Sequence, residues 1–214
     1  MKKFFLPLLF LVVFFVGCVK ENYASNLSEV HTAFFLGETE HYRVWLSSGM
    51  REEPYIMDGV SQNKVEFALL CIKPKENENR EVACSVSINE KAQVLNLEQS
   101  PFDNTLACDL GKIVNRVDTV FVSVSFMDKT EHTTLSPIFN EYKIKTDEAF
   151  EIVLKTLREH IKLDEDDTFE LYLKIIFSKD TPTTQFWYGS ILTSTGKESS
   201  CVIDTQSGEV LVCR

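Results

Sequence analysis

Apolar and polar positions alternate with period two through the middle of the chain. Val65, Phe67, Leu69 and Cys71 interleave with Glu66, Ala68 and Leu70. Val82, Cys84, Val86 and Ile88 interleave with Ala83, Ser85 and Ser87, and Val120, Val122, Val124 and Phe126 with Phe121, Ser123 and Ser125. Successive side chains of an extended chain point to opposite faces, so each run predicts a strand with its first-named set toward a core. Shorter runs at 33–36, 42–46, 94–97 and 139–144 predict further strands. Turn chemistry separates them: Ser47-Ser-Gly-Met50, Asp58-Gly59, the stretch from Pro74 to Asn79, and Met127-Asp-Lys-Thr130. About seven short strands so punctuated predict an immunoglobulin-like antiparallel β-sandwich over residues 31–145. The cysteine–tryptophan–cysteine order of antibody domains is missing, because Trp45 precedes every candidate cysteine.

At Thr146 the period changes. Phe150, Val153, Leu154, Leu157 and Ile161 recur at helical spacing and make one apolar stripe. Thr146 is the expected cap, Asp147 and Glu148 suit the first turn, and Lys155, Arg158 and Lys162 suit the last. Such a helix needs an apolar floor, and Phe169, Leu171, Leu173, Ile175 and Phe177 of the next predicted strand all face one way. Strands at 185–194, 199–204 and 209–213 follow, the last two joined by Thr205-Gln-Ser-Gly208. Residues 146–214 therefore predict a small helix-plus-antiparallel-sheet domain, α+β in class.

The N-terminus follows neither period. Lys2 and Lys3 precede an unbroken apolar run from Phe4 to Val16, and Gly17 stands before Cys18. The run is shorter than the roughly 20 residues a membrane-crossing helix needs, and it fits the apolar region of a secretory leader. This stretch resembles a bacterial lipoprotein signal, with Phe15 where that family prefers an aliphatic residue. The resemblance implies a signal peptide over residues 1–17, acylation of Cys18, and a location on the outer side of a cell membrane or outer membrane. Residues 18–30 are polar without a period and read as a lipidated tether, reaching on the order of 20 Å if flexible.

The last unit resembles the PepSY family. The resemblance rests on the helix Asp147-Glu-Ala-Phe-Glu-Ile-Val-Leu154, on the aromatic strand Phe186-Trp187-Tyr188, and on the closing hairpin Cys201-Val-Ile-Asp-Thr-Gln-Ser-Gly-Glu-Val-Leu211. Ser207 departs from the usual threonine. The family implies a non-enzymatic envelope module, often one that restrains a peptidase, and it transfers no functional residue.

Charge narrows the partners. The formal charge of -10 argues against nucleic acid, which needs clustered Lys and Arg. It argues equally against adhesion to anionic lipid, so membrane attachment falls to the acyl chains. Beyond Cys18 the cysteines are Cys71, Cys84, Cys108, Cys201 and Cys213. Their odd number leaves at least one unpaired, and Cys201 with Cys213, flanking the hairpin, is the expected bridge. His31, His41, His132 and His160 are scattered without metal spacing. No Gly-x-Ser-x-Gly elbow is present. Asp164-Glu-Asp-Asp167 lacks the alternation and glycine of a calcium loop and reads as a solvated turn. No catalytic residue, metal or cofactor is expected. Trp187 and Tyr188, adjacent in a strand, are the candidate partner surface, and Arg51-Glu-Glu-Pro-Tyr55 reads as a charged loop. The sum is a lipid-anchored envelope protein that binds a protein or peptide. Two alternatives stand: a solute-binding or adhesive lipoprotein using exposed Trp45, Trp187 or Tyr188, and a hydrolase whose site assembles only in the fold.

Overall fold

The structure is a computed structural model and describes residues 23–76, 82–101, 103–138, 141–162, 168–177 and 184–214. Residues 1–22, with the leader and Cys18, and the acidic run Asp164–Asp167 lie outside them.

Among the described residues the fold is mostly antiparallel β with one α-helix. After a 3-10 turn (Tyr23–Asn26) come β1 (Leu27–Glu38), β2 (Tyr42–Glu52), β3 (Lys64–Pro74), β4 (Val82–Ile88) and β5 (Lys91–Leu95). The short β6 (Glu98–Gln99) and β7 (Leu106–Asp109) precede the hairpin of β8 (Val120–Phe126) and β9 (Lys129–Pro137). Helix α1 (Thr146–Ile161) leads into β10 (Phe169–Phe177), β11 (Gln185–Thr193), β12 (Glu198–Asp204) and β13 (Val210–Cys213). A long sheet runs β13-β12-β11-β10-β1-β2-β3-β7-β6. β5, β4, β8 and β9 form a second layer, which rejoins the first where Phe35 and Leu36 pair with Pro137 and Ser136. β1 and β10 pair in parallel, so residues before and after position 145 share one sheet.

Between the two layers lies a core of Phe35, Val44, Leu46, Leu70, Ile72, Val86, Val122 and Val124, each at most 1 % exposed. Each such side chain contributes about 2 kcal/mol through burial. β4 and β8 face it with the expected residues. β3 faces it with the opposite set: Ala68, Leu70 and Ile72 point inward, while Phe67, Leu69 and Cys71 point to the other face. Both faces of β3 are apolar, so alternation alone does not choose. Pairing chooses, because Val44 and Leu46 of β2 stand opposite Ile72 and Leu70.

The second core lies under α1. Val153, Leu154 and Leu157 pack on Phe169, Leu171, Leu173 and Ile175, as the helical stripe requires. Trp187 is fully buried there and donates its ring N–H to the Ile144 carbonyl at 3.0 Å. Gly189 is what lets the helix seat, since a Cβ at that position would stand 2.3 Å from Val153 Cγ2.

Four local expectations are corrected. Ser47–Met50 is not a turn but the middle of β2. Gly49 serves the close approach of β1, where a Cβ would meet the Val30 carbonyl oxygen at 1.9 Å. The tether does not extend to residue 30, because β1 begins at Leu27 and pairs with β10 from there. Residues 141–144 form no strand; Tyr142 and Ile144 join the helix-side core, and Phe139 and Asn140 lie outside the described residues. Thr146 does not cap α1: Lys145 holds the cap position and makes no side-chain capping bond, and Thr146 Oγ1 is buried without a partner.

Candidate binding groove

The face of the long sheet opposite α1 carries what the helix side lacks, a set of buried charges. β1 contributes Ser28, Glu29 and His31, β2 contributes Glu52, and β10 contributes Glu170, Tyr172 and Lys174. Glu170 and Ser28 are fully buried, Glu52 nearly so, and Glu29 and His31 are under a tenth exposed. Polar residues are tolerated at such depth only when paired.

Glu29 is the hub. It accepts from His31 Nε2 at 2.9 Å, from Lys174 Nζ at 2.7 Å and from the Tyr55 hydroxyl at 2.8 Å. Burial opposes its charge, but the His31 bond and the Lys174 ammonium outweigh that and bring its carboxyl down to about 2. Lys174 sits over the rings of Tyr55 and Tyr172 and donates to the Tyr55 hydroxyl at 2.8 Å. Burial works against its charge as well, yet Glu29 holds it protonated above the ordinary lysine value. His31 Nδ1 accepts from the Ile175 backbone N–H at 3.1 Å, so the ring proton is on Nε2, facing Glu29. Both ring nitrogens are engaged, which makes this histidine a brace between β1 and β10 rather than a base with a free lone pair.

The loop 53–63 closes over the upper part of this face. Glu170 accepts from Gly59 N–H at 2.8 Å and from the Ser28 hydroxyl at 3.0 Å, and Glu52 accepts from Gln62 N–H at 3.1 Å. Gly59 has φ +82, and a side chain there would strike the backbone of Ser194. Glu52 Oε1 has no hydrogen-bond partner, and burial, with the Glu170 carboxylate beside it, pushes its carboxyl above the ordinary value.

Below the loop the sheet forms a hollow of about 540 Å³. Its walls carry the rings of Trp45, Phe67 and Phe177 and the cations Arg43, Arg51 and Lys73. Trp45 meets Phe177 edge-on with ring centres 5.2 Å apart, and the Arg51 guanidinium lies 5.3 Å from the Phe67 centroid. Each cation has a carboxylate at the rim: Arg51 with Asp109 at 2.5 Å, Lys73 with Asp103 at 2.8 Å, Arg43 with Glu38 at 3.3 Å. The bond from Lys73 holds the Asp103 carboxyl far below the ordinary value. A neighbouring hollow of about 610 Å³ shares Arg51 and is lined by Glu53, Tyr55, Glu66 and Asp109. One end is therefore basic and aromatic, the other acidic.

The residues expected to form a partner surface separate. Trp187 is core, since its ring fills the space under α1, and it offers no surface. Tyr188 stands half-buried on the opposite face, beside Lys174 in the register. Trp45 alone of the three expected aromatics lines the groove. His41 Nδ1 and backbone N–H both bond Glu131, and Glu40 lies near them at the β1–β2 turn. His160 bonds the Ser199 hydroxyl at 3.1 Å, and His132 bonds Ser123 at 2.9 Å. Glu29, His31, Glu52, Glu170 and Lys174 carried no sequence signal as a group, because they come from segments over 100 residues apart. One hint was local: Glu170 and Lys174 are charged residues inside a strand with apolar neighbours on both sides. Comparison with protein-family models, characterised proteins and solved structures finds no match to this chain.

Proposed function

We propose that this chain is a lipid-anchored bacterial envelope protein that binds a peptide segment of a partner and performs no chemistry on it. The observation that carries the binding reading is the hollow holding Arg43, Arg51 and Lys73 among Trp45, Phe67 and Phe177 in a chain of net charge -10. Its walls are strands, so the site is preformed and loses little entropy on binding. The ion pairs at its rim are partly exposed, and such pairs contribute about 0–1 kcal/mol. A ligand carboxylate can replace them at small cost. The complementary segment is extended, with an aromatic or aliphatic side chain next to an acidic one, and a basic residue toward the second hollow. Engagement of both His31 ring nitrogens supports binding over hydrolysis.

The lipid anchor rests on the Gly17-Cys18 signal. Among the described residues no helix is long and apolar enough to cross a membrane. Replacing Cys18 with Ser is expected to release the chain from membrane fractions; retention of the variant contradicts the anchor. The packing of α1 across one face of β10–β12 supports the PepSY-like reading of residues 146–214. Two layers packed over a core drawn from β1–β4 and β8 support the immunoglobulin-like reading of residues 31–145. Selection of peptides from a random library tests the groove. Acidic-apolar sequences whose binding falls at least tenfold with Arg51→Glu are expected, and binders indifferent to that change contradict the reading.

A further inference from the structure

The five cysteines beyond Cys18 are free thiols in the structure, and the fold sorts them. Cys201 of β12 and Cys213 of β13 stand directly opposite each other. Ser200 and Arg214, the next pair along, exchange both backbone hydrogen bonds, at 3.0 and 2.9 Å. Cys201 and Cys213 therefore occupy the adjacent non-hydrogen-bonded position, where Cα atoms lie about 4.5 Å apart, inside the disulfide range. Cys84 of β4 and Cys108 of β7 come from different layers and meet at the same core. Leu95, the last residue of β5, is the register partner of Cys84, and the backbone of the next residue, Asn96, bonds Cys108. The two sulfurs thus converge where β5 ends. Cys71 faces the other side of β3, away from that core.

We propose that the chain forms two disulfides, Cys84–Cys108 between the layers and Cys201–Cys213 across the terminal hairpin, leaving Cys71 as its one thiol beyond Cys18. The reaction is exchange with a disulfide oxidant RSSR. The half-buried Cys213 thiolate attacks RSSR and expels RS⁻, then Cys201 loses its proton, attacks the mixed disulfide and expels the second RS⁻. Both cysteine sulfurs are oxidised, and RSSR is reduced to two RSH. Burial pushes the Cys201 thiol up to about 12, with the neighbouring Cys213 adding to it, which makes Cys213 the residue that attacks first. Cys84 is likewise pushed up to about 12 by burial, so the more exposed Cys108 initiates its bridge.

The pairing itself does not depend on where the protein resides; its formation in the cell rests on the envelope reading. The test equilibrates the full chain, with Cys18→Ser to keep it soluble, in excess oxidised glutathione. Denaturation in iodoacetamide and peptide mapping follow. The expected result is alkylation at Cys71 alone, joined peptides 84/108 and 201/213, and a mass about 4 Da below the reduced chain before alkylation. The Cys84→Ser variant is expected to keep the 201/213 bridge and to expose Cys71 and Cys108. Alkylation of either pair in the wild type, or a bridge to Cys71, overturns the proposal. The same map on chain isolated from envelope fractions reads the compartment. Reduced thiols there, with both bridges formed in vitro, contradict the envelope location and leave the pairing standing.

Discussion

The two faces of β10 are made by one stretch of nine residues and behave oppositely. Phe169, Leu171, Leu173 and Ile175 lie in a dry core under α1, held by contacts that any apolar side chains of similar volume could replace. On the other face Glu170 and Tyr172 lie as deep and Lys174 is partly exposed, with Glu170 and Lys174 held by named partners at hydrogen-bond distance. The apolar face tolerates repacking and fails by losing volume. The polar face depends on its ion pairs and fails by leaving a charge behind. The tolerant face holds the helix and, through Ile175 and Phe177, lends a wall to the groove, while the demanding face carries the buried charges.

The largest expected effect comes from the dry side. Leu157→Ala or Leu173→Ala, at fully buried positions, is expected to cost about 3 kcal/mol in urea unfolding, with full ionic-strength independence. On the polar side, Lys174→Met alone is expected to cost about 2–3 kcal/mol because Glu29 loses its main counter-charge. Replacing both, with Glu29→Leu added, is expected to recover much of that loss. A double-mutant cycle showing simple additivity would erase the distinction between the faces.

Acid sharpens the comparison. Glu29 titrates at about 2 in the fold against an ordinary 4.5, so its ionisation stabilises the fold at and above pH 4.5. That contribution, on the order of 3 kcal/mol, is lost as pH falls from 4.5 toward 2. Glu29→Gln is expected to remove this acid-dependent slope, whereas Leu173→Ala is expected to shift the whole curve and keep it. Glu52 has the opposite sign. Its carboxyl is raised by burial and by Glu170, so stability is full below 4.5 and declines as pH rises through the raised value. Glu52→Gln, which removes the titrating carboxyl, is expected to flatten that decline and to leave hydrogen exchange of residues 53–63 independent of pH beyond its chemical rate. The smallest effect is expected for Tyr188→Ala, half-buried and outside both hollows, within about 0.5–1 kcal/mol of wild type.

The same contrast explains what was readable in the sequence. The strands β4, β8 and β10–β13, the helix α1 and the turn at Gly208 follow from period and turn chemistry, because each buries one face against an apolar partner. The start of β1 is not legible in the sequence, because Ser28 and Glu29 look like tether residues and their partners, Glu170 and Lys174, lie over 140 positions away. Gly49 looked like a turn because a glycine gives no sign whether it bends the chain or admits a neighbouring strand. The core face of β3 is not legible from alternation, because both its faces are apolar and only its pairing with β2 decides. The groove was invisible for the same reason as the polar cluster: Trp45, Arg51, Phe67, Lys73 and Phe177 meet only after β10 docks parallel to β1. Of the adjacent pair Trp187 and Tyr188, the larger ring fills the core and the other turns to the opposite face.

The central claim is that the hollow walled by Trp45, Phe67 and Phe177 is a preformed binding site. The fluorescence of Trp45, read in a Trp187→Phe background during titration with a library-selected acidic-apolar peptide, tests it most directly. A saturable shift in Trp45 emission, abolished by Arg51→Glu and unchanged by Tyr188→Ala, is the predicted result. Saturable binding of that peptide with no change in Trp45 emission, and equal affinity in the Arg51→Glu variant, would contradict the account.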